Sequence, residues 1–127
     1  MARSPLTERS GHLERLGARE LVFPAQVDIR ADPSTAARLG FPAEPNTVAS
    51  GPDRDILWLG PDEWLVVGLG GTAEALVAEL ETTLGGVHHS VVDVSANRTV
   101  IELRGPSRHE LLSTACPIDL HPRSWSD

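Results

Sequence analysis

The glycine-rich run from Gly68 to Ala73, Gly-Leu-Gly-Gly-Thr-Ala, is the segment that most resembles a cofactor site. It matches the pattern G-x-G-x-x-A between a predicted strand and a predicted helix, and Asp93 follows Gly68 by 25 positions. In dinucleotide-binding proteins such glycines let the backbone approach a pyrophosphate at a helix N-terminus. Only 59 residues follow Gly68, too few for a doubly wound sheet, and the preceding strand reads as half of a hairpin. The pattern therefore favours a strand-to-helix turn over a nucleotide site.

The adjacent histidines His88 and His89 could ligate a metal ion. Neighbouring residues of a strand point to opposite faces, so the two imidazoles do not converge easily on one ion. No cysteine or third histidine stands at zinc-site spacing from them. The two histidines are therefore predicted to lie in solvent at the beginning of a strand.

Cys116 is the one cysteine, and His109 precedes it by seven positions on the same predicted helix. A thiolate nucleophile needs an electropositive, partly exposed setting and a base within hydrogen-bond reach. A cysteine at a helix end before Pro117 is more often a small buried hydrophobe. The structural role is favoured over catalysis.

The densest polar group consists of Asp93, Ser95, Asn97 and Arg98. Short Asp, Ser and Asn side chains in and beside a turn commonly bond the backbone of that turn. A structural role is therefore predicted, and the alternative is a contact with a partner or ligand through Arg98. No nucleophile, base and orienting group assemble from the sequence, so we assign no catalytic, cofactor-binding or metal-binding residue.

Turn and cap signals divide the chain into strands and helices. Pro24 implies a bend, a bulge or an edge position in a strand pattern over 20–30. Asp32 is predicted to cap a helix that Gly40 ends, and 41–55 is predicted to be a loop. The remaining predicted elements are a hairpin with strands 56–59 and 64–67, a helix at 72–84, a second hairpin with strands 91–94 and 99–104, and a helix from 105 to about 115. These elements predict an α+β fold in which helices cover one face of a mainly antiparallel sheet.

Composition predicts one domain, with a flexible lead-in at 1–18 and a single domain at 19–127. Eighteen acidic residues outnumber eleven arginines, and this balance disfavours nucleic-acid binding. No apolar run is long enough to span a bilayer, and 1–10 lacks the apolar core of a secretory signal, so a cytoplasmic location is predicted. A single cysteine excludes an intrachain disulfide.

Four sequence blocks occur in order along the chain. They are Glu44-Pro45-Asn46-Thr47, Trp58-Leu59-Gly60-Pro61-Asp62-Glu63-Trp64-Leu65, Val92-Asp93-Val94-Ser95-Ala96-Asn97-Arg98-Thr99 with Leu103-Arg104-Gly105-Pro106, and Cys116-Pro117-Ile118-Asp119-Leu120-His121-Pro122-Arg123. Together these blocks resemble the gamma subunit family of heterotetrameric sarcosine oxidase. The Asp-Val-Ser strand and the Gly-Pro before a helix also resemble the folate-binding aminomethyltransferases typified by the glycine-cleavage T protein. The resemblance implies a fold of ferredoxin-like halves.

The same resemblance implies a non-catalytic subunit that assembles with alpha, beta and delta subunits to oxidise sarcosine to glycine. It implies that FAD, FMN, NAD, tetrahydrofolate and zinc are held by those partners and that this chain holds no cofactor. Family members continue past the His-Pro-Arg segment, so we expect a chain shortened at its C-terminus, with an incomplete second half and marginal stability alone. The competing functions are a standalone tetrahydrofolate-binding or aminomethyltransferase-like protein and a nucleotide-binding fragment built on Gly68 to Ala73.

Overall fold

The computed structural model describes residues 3–22, 24–121 and 123–124, and it has the predicted α+β architecture with antiparallel strand pairing. A 3-10 turn at Thr7–Arg9 precedes the first α-helix. The strands are β1 (Ala18–Leu21), β2 (Gln26–Ala31), β3 (Val48–Ser50), β4 (Arg54–Gly60), β5 (Glu63–Gly68), β6 (His89–Asp93) and β7 (Val100–Leu103), and the α-helices are α1 (Ser10–Arg15), α2 (Pro33–Arg38), α3 (Ala73–Thr83) and α4 (Arg108–Ser113).

The described strands form two sheets. A five-stranded sheet has the order β3-β4-β5-β2-β6, and a two-stranded sheet pairs β1 with β7. In the first sheet β2 lies between β5 and β6, with Ile29 opposite Trp64 of β5 on one side and opposite Val91 of β6 on the other. In the second sheet Ala18 lies opposite Leu103.

The predicted second hairpin is wrong. β6 and β7 follow one another closely in sequence, but β6 pairs with β2 while β7 pairs with β1. The turn at Ser95–Asn97 is present, yet the chain leaves it into a different sheet. The same division separates β1 from β2 at the bend around Pro24, where the sequence predicted an interruption. A strand pairs with the best-matched partner in space, and short loop length alone did not reveal that partner.

Two predicted helices are confirmed together with their ends. The Asp32 side chain caps α2 by accepting from the backbone N–H groups of Ser34 and Thr35, and Gly40 follows the helix with φ of 82°. Thr72 caps α3 by accepting from the N–H of Ala75. Leu76, Leu80 and Leu84 recur at helical spacing on the apolar stripe, and all three are buried.

The hydrophobic core lies between α3, α2 and one face of the five-stranded sheet. Alternate residues Val27 and Ile29 of β2 are fully buried there, as is Val66 of β5. Trp64 is 1% exposed, its Nε1–H donates to the carbonyl of Pro42 at 2.8 Å, and its ring meets Phe41 edge-on. The indole is therefore both packed and hydrogen-bonded, as a buried tryptophan requires.

Some elements were not predicted. β3 lies within the range predicted to be a loop, and Thr7–Arg9 and α1 lie within the range predicted to be a flexible lead-in. The chain separates into two compact units, a terminal unit (1–22 and 99–127) and a central unit (23–98). The single domain at 19–127 stays a prediction, because compactness does not decide whether either unit unfolds alone. Among the described residues, no helix is long and apolar enough to cross a membrane.

Candidate functional site

The Asp93–Ser95 turn holds the polar group that the sequence singled out. Oδ1 of Asp93 accepts from the backbone N–H of Ser95 at 2.9 Å and from its hydroxyl at 2.6 Å. Both bonds favour the charged carboxylate, so they lower the pKa of Asp93, with the hydroxyl bond as the largest cause. The carboxylate is thereby committed to the turn, as the structural interpretation predicted for short polar side chains.

Ser95 extends this turn to the first residue of β2. The hydroxyl oxygen of Ser95 accepts from the backbone N–H of Gln26 at 3.0 Å, and the Gln26 carbonyl accepts from the N–H of Val94 at 2.8 Å. A serine hydroxyl has one hydrogen, which the short bond to Asp93 takes, so its lone pairs are free to accept. The turn therefore continues the β2–β6 ladder by one side-chain bond.

Asn97 and Arg98 belong to the same segment, but their side chains are exposed to solvent. The backbone N–H of Asn97 closes the turn on the carbonyl of Val94 at 2.9 Å. Both side chains are exposed, and within the described part of the chain no ion pair of Arg98 occurs. The four predicted residues thus lie in one segment. Among the bonds of the described residues, only Asp93 and Ser95 of the four interact through their side chains. A partner contact through Arg98 stays a prediction.

The glycine segment forms the connection between β5 and α3. β5 runs antiparallel to both of its neighbours, β4 and β2, so the parallel pair of a dinucleotide-binding fold is absent around this turn. A Cβ on Gly68 would lie 3.2 Å from the Cβ of Ala25, and Gly71 has φ of 80°. The glycines therefore serve close packing and a left-handed turn, which confirms the structural interpretation.

An ion-pair cluster beside this turn was not predicted. The guanidinium of Arg54 binds both carboxylate oxygens of Glu79 at 2.9 Å and Oδ2 of Asp53 at 2.8 Å. The two carboxylates raise the pKa of Arg54, and the hydrogen bond from Arg54 lowers the pKa of Asp53. Because Arg54 is paired with both carboxylates, the cluster has a net charge of −1 and offers no unpaired cation to a phosphate. Sequence reasoning missed the cluster because Arg54 and Glu79 meet only through the pairing of β4 with β5.

His89 is the first residue of β6, and its side chain interacts with Glu81 of α3. Nε2 of His89 lies 2.9 Å from Oε2 of Glu81, and Nδ1 lies 2.8 Å from the carbonyl oxygen of Val87. Both ring nitrogens thus face acceptors, which favours the doubly protonated imidazolium. The Glu81 bond first, and the Val87 carbonyl second, raise the pKa of His89. His88 is exposed, and His89 acts as a link between strand and helix.

Cys116 lies beyond the end of α4 and not within it. The helix ends at Ser113, and the backbone N–H of Cys116 bonds the carbonyl of Leu112. The thiol is half-buried, His109 is exposed, and in the described residues no hydrogen bond joins them. The helix predicted to run to about 115 is therefore shorter. His109 and Cys116, seven positions apart, do not lie on the same helix. Across residues 3–22, 24–121 and 123–124, no three His, Cys, Asp or Glu side chains cluster as metal ligands.

The family profile described as "Sarcosine oxidase, gamma subunit family" matches residues 24–126. This range contains β2 to β7 and includes the Asp93–Ser95 turn. The chain belongs to the sarcosine oxidase gamma subunit family. The resemblance inferred from the ordered blocks is confirmed.

Individual relatives agree with the family profile. The chain is 40% identical over 116 residues to the sarcosine oxidase subunit gamma of an Arthrobacter species and, over the same length, to that of Corynebacterium sp. strain P-1. Each alignment covers 84% of this chain and 56% of the relative. The chain thus spans about half the length of the curated relatives it matches.

A solved structure shares the fold. A chain of the heterotetrameric sarcosine oxidase of Corynebacterium sp. U-96, solved in complex with pyrrole 2-carboxylate, superposes with a TM-score of 0.83 at 34% sequence identity. The superposition covers 98% of this chain and 72% of that chain. The α+β fold predicted from the sequence is therefore shared with a sarcosine oxidase gamma chain.

Proposed function

We propose that the chain is a structural subunit of a heterotetrameric sarcosine oxidase and assembles with alpha, beta and delta subunits. Membership in the gamma subunit family over residues 24–126 is the observation that carries the proposal. The structural relative belongs to an enzyme whose name states that it is heterotetrameric. In this proposal the partner subunits oxidise sarcosine to glycine and hold FAD, FMN, NAD, tetrahydrofolate and zinc.

The internal bonding of the polar residues supports a role in assembly over a role in catalysis. Asp93 and Ser95 bond each other and β2, Arg54 is shared between two carboxylates, and His89 bonds Glu81. A general base or a nucleophile needs a lone pair directed at substrate. These groups direct their donors and acceptors at neighbouring residues of the same chain, so they are suited to stabilising the fold.

Co-expression tests the proposal. The tagged chain is expressed with the alpha, beta and delta subunits of its own organism, and the same three subunits are expressed without it. We expect one complex containing all four subunits, with sarcosine-dependent oxygen consumption. Omission of the chain should reduce the yield and thermal stability of the complex. Purification of the tagged chain without any of the three subunits would refute the proposal.

The isolated chain separates the proposal from its competitors. Titration with tetrahydrofolate and with NAD, followed by calorimetry, should give no binding isotherm, and the purified chain should lack flavin absorbance and stoichiometric zinc. Saturable tetrahydrofolate binding would support the standalone aminomethyltransferase-like protein. Saturable NAD binding that Gly71→Val abolishes would support the nucleotide-binding fragment.

A further inference from the structure

No further inference is drawn: the strongest candidate, the face of the five-stranded sheet that lies opposite the core and has Val48, Leu57, Leu65, Asp28 and Val92 in one row across the strands, supports no proposal, because nothing in the structure shows what covers it.

Discussion

The Ser95 hydroxyl oxygen accepts the backbone N–H of Gln26, the residue at which β2 begins, at 3.0 Å. Gln26 is 1% exposed, so this N–H lies where water reaches it poorly. β6 ends two residues before Ser95, and backbone pairing alone does not satisfy the donor. A side chain from a turn therefore supports β2, an interior strand of the larger sheet.

Ser95→Ala should reduce the free energy of unfolding by about 1–3 kcal/mol, because it leaves a buried backbone donor unsatisfied. The matched control is Ser90→Ala, at an exposed position on β6, which should change stability by less than about 0.5 kcal/mol. Chemical denaturation of both variants measures the difference. Equal stabilities would show that the Ser95 hydroxyl contributes nothing to β2.

Asp93 should contribute to stability in a pH-dependent way. Its pKa is lowered in the folded chain, so the contribution is present above the ordinary pKa of 3.8 and is lost as pH falls through the lower folded value. Asp93→Asn should therefore destabilise at pH 7, and the gap from the unmodified chain should close in strong acid. Urea unfolding across this pH range measures the gap. A gap that stays constant down to the lowest pH would contradict the account.

Helices α2 and α3 and the first hairpin were predictable because their signals are local. Asp32 and Thr72 cap helices within three residues of themselves, and the turn between β4 and β5 is encoded by its own proline and aspartate. The Asp93–Ser95 turn was predictable for the same reason. Its bond to Gln26, 69 positions away, was not, because side-chain partners of that separation depend on how the strands pair.

The wrong hairpin and the missed elements share a different physical cause. β3 has three residues in a proline- and glycine-rich segment, and its pairing with β4 makes it a strand. α1 begins at Ser10 with no side-chain cap from Arg9, so it lacks the usual start signal. From the sequence alone, β7 resembles the return strand of a hairpin with β6. In the structure it pairs with β1 instead. Tertiary pairing decided each of these elements.

His89 should titrate above the ordinary histidine value of 6.5, because Glu81 and the Val87 carbonyl both accept from its ring. Its stabilising contribution is therefore complete below pH 6.5 and is lost as pH rises through the folded pKa. Imidazole NMR titration should show that Glu81→Gln lowers the pKa of His89, whereas His88→Gln does not change it. An unchanged His89 titration in Glu81→Gln would show that the pair does not persist in solution.

Trp64→Phe should destabilise the central unit by about 1–3 kcal/mol, because the Pro42 carbonyl loses its donor and the core loses part of a ring. The two groups are 2.8 Å apart, and the tryptophan also meets Phe41 at 5.7 Å between ring centroids. Trp58→Phe, at a half-buried position opposite Trp64, is the matched control and should cost less. Thermal melting of both variants measures the difference. A larger loss of stability in Trp58→Phe than in Trp64→Phe would contradict this assignment.

Gly17→Ala should destabilise the pairing of β1 with β7. Gly17 has φ of 69°, and a Cβ there would lie 2.6 Å from the carbonyl oxygen of Arg104, whose N–H donates to the Gly17 carbonyl. An alanine at such a position is strained and loses more than about 1 kcal/mol. Gly11→Ala inside α1 meets no atom within 4 Å and should be neutral or stabilising, because alanine favours helix.

Gly17→Ala also tests whether the two compact units unfold together. Hydrogen exchange by mass spectrometry should show faster exchange of β1 and β7 amides in Gly17→Ala, with β2 and β5 amides unchanged. The reason is that the strained contact lies wholly within the terminal unit, and local opening need not expose the core of the central unit. If β2 and β5 lost protection to the same extent, the chain would unfold as the single domain at 19–127 that the sequence predicts.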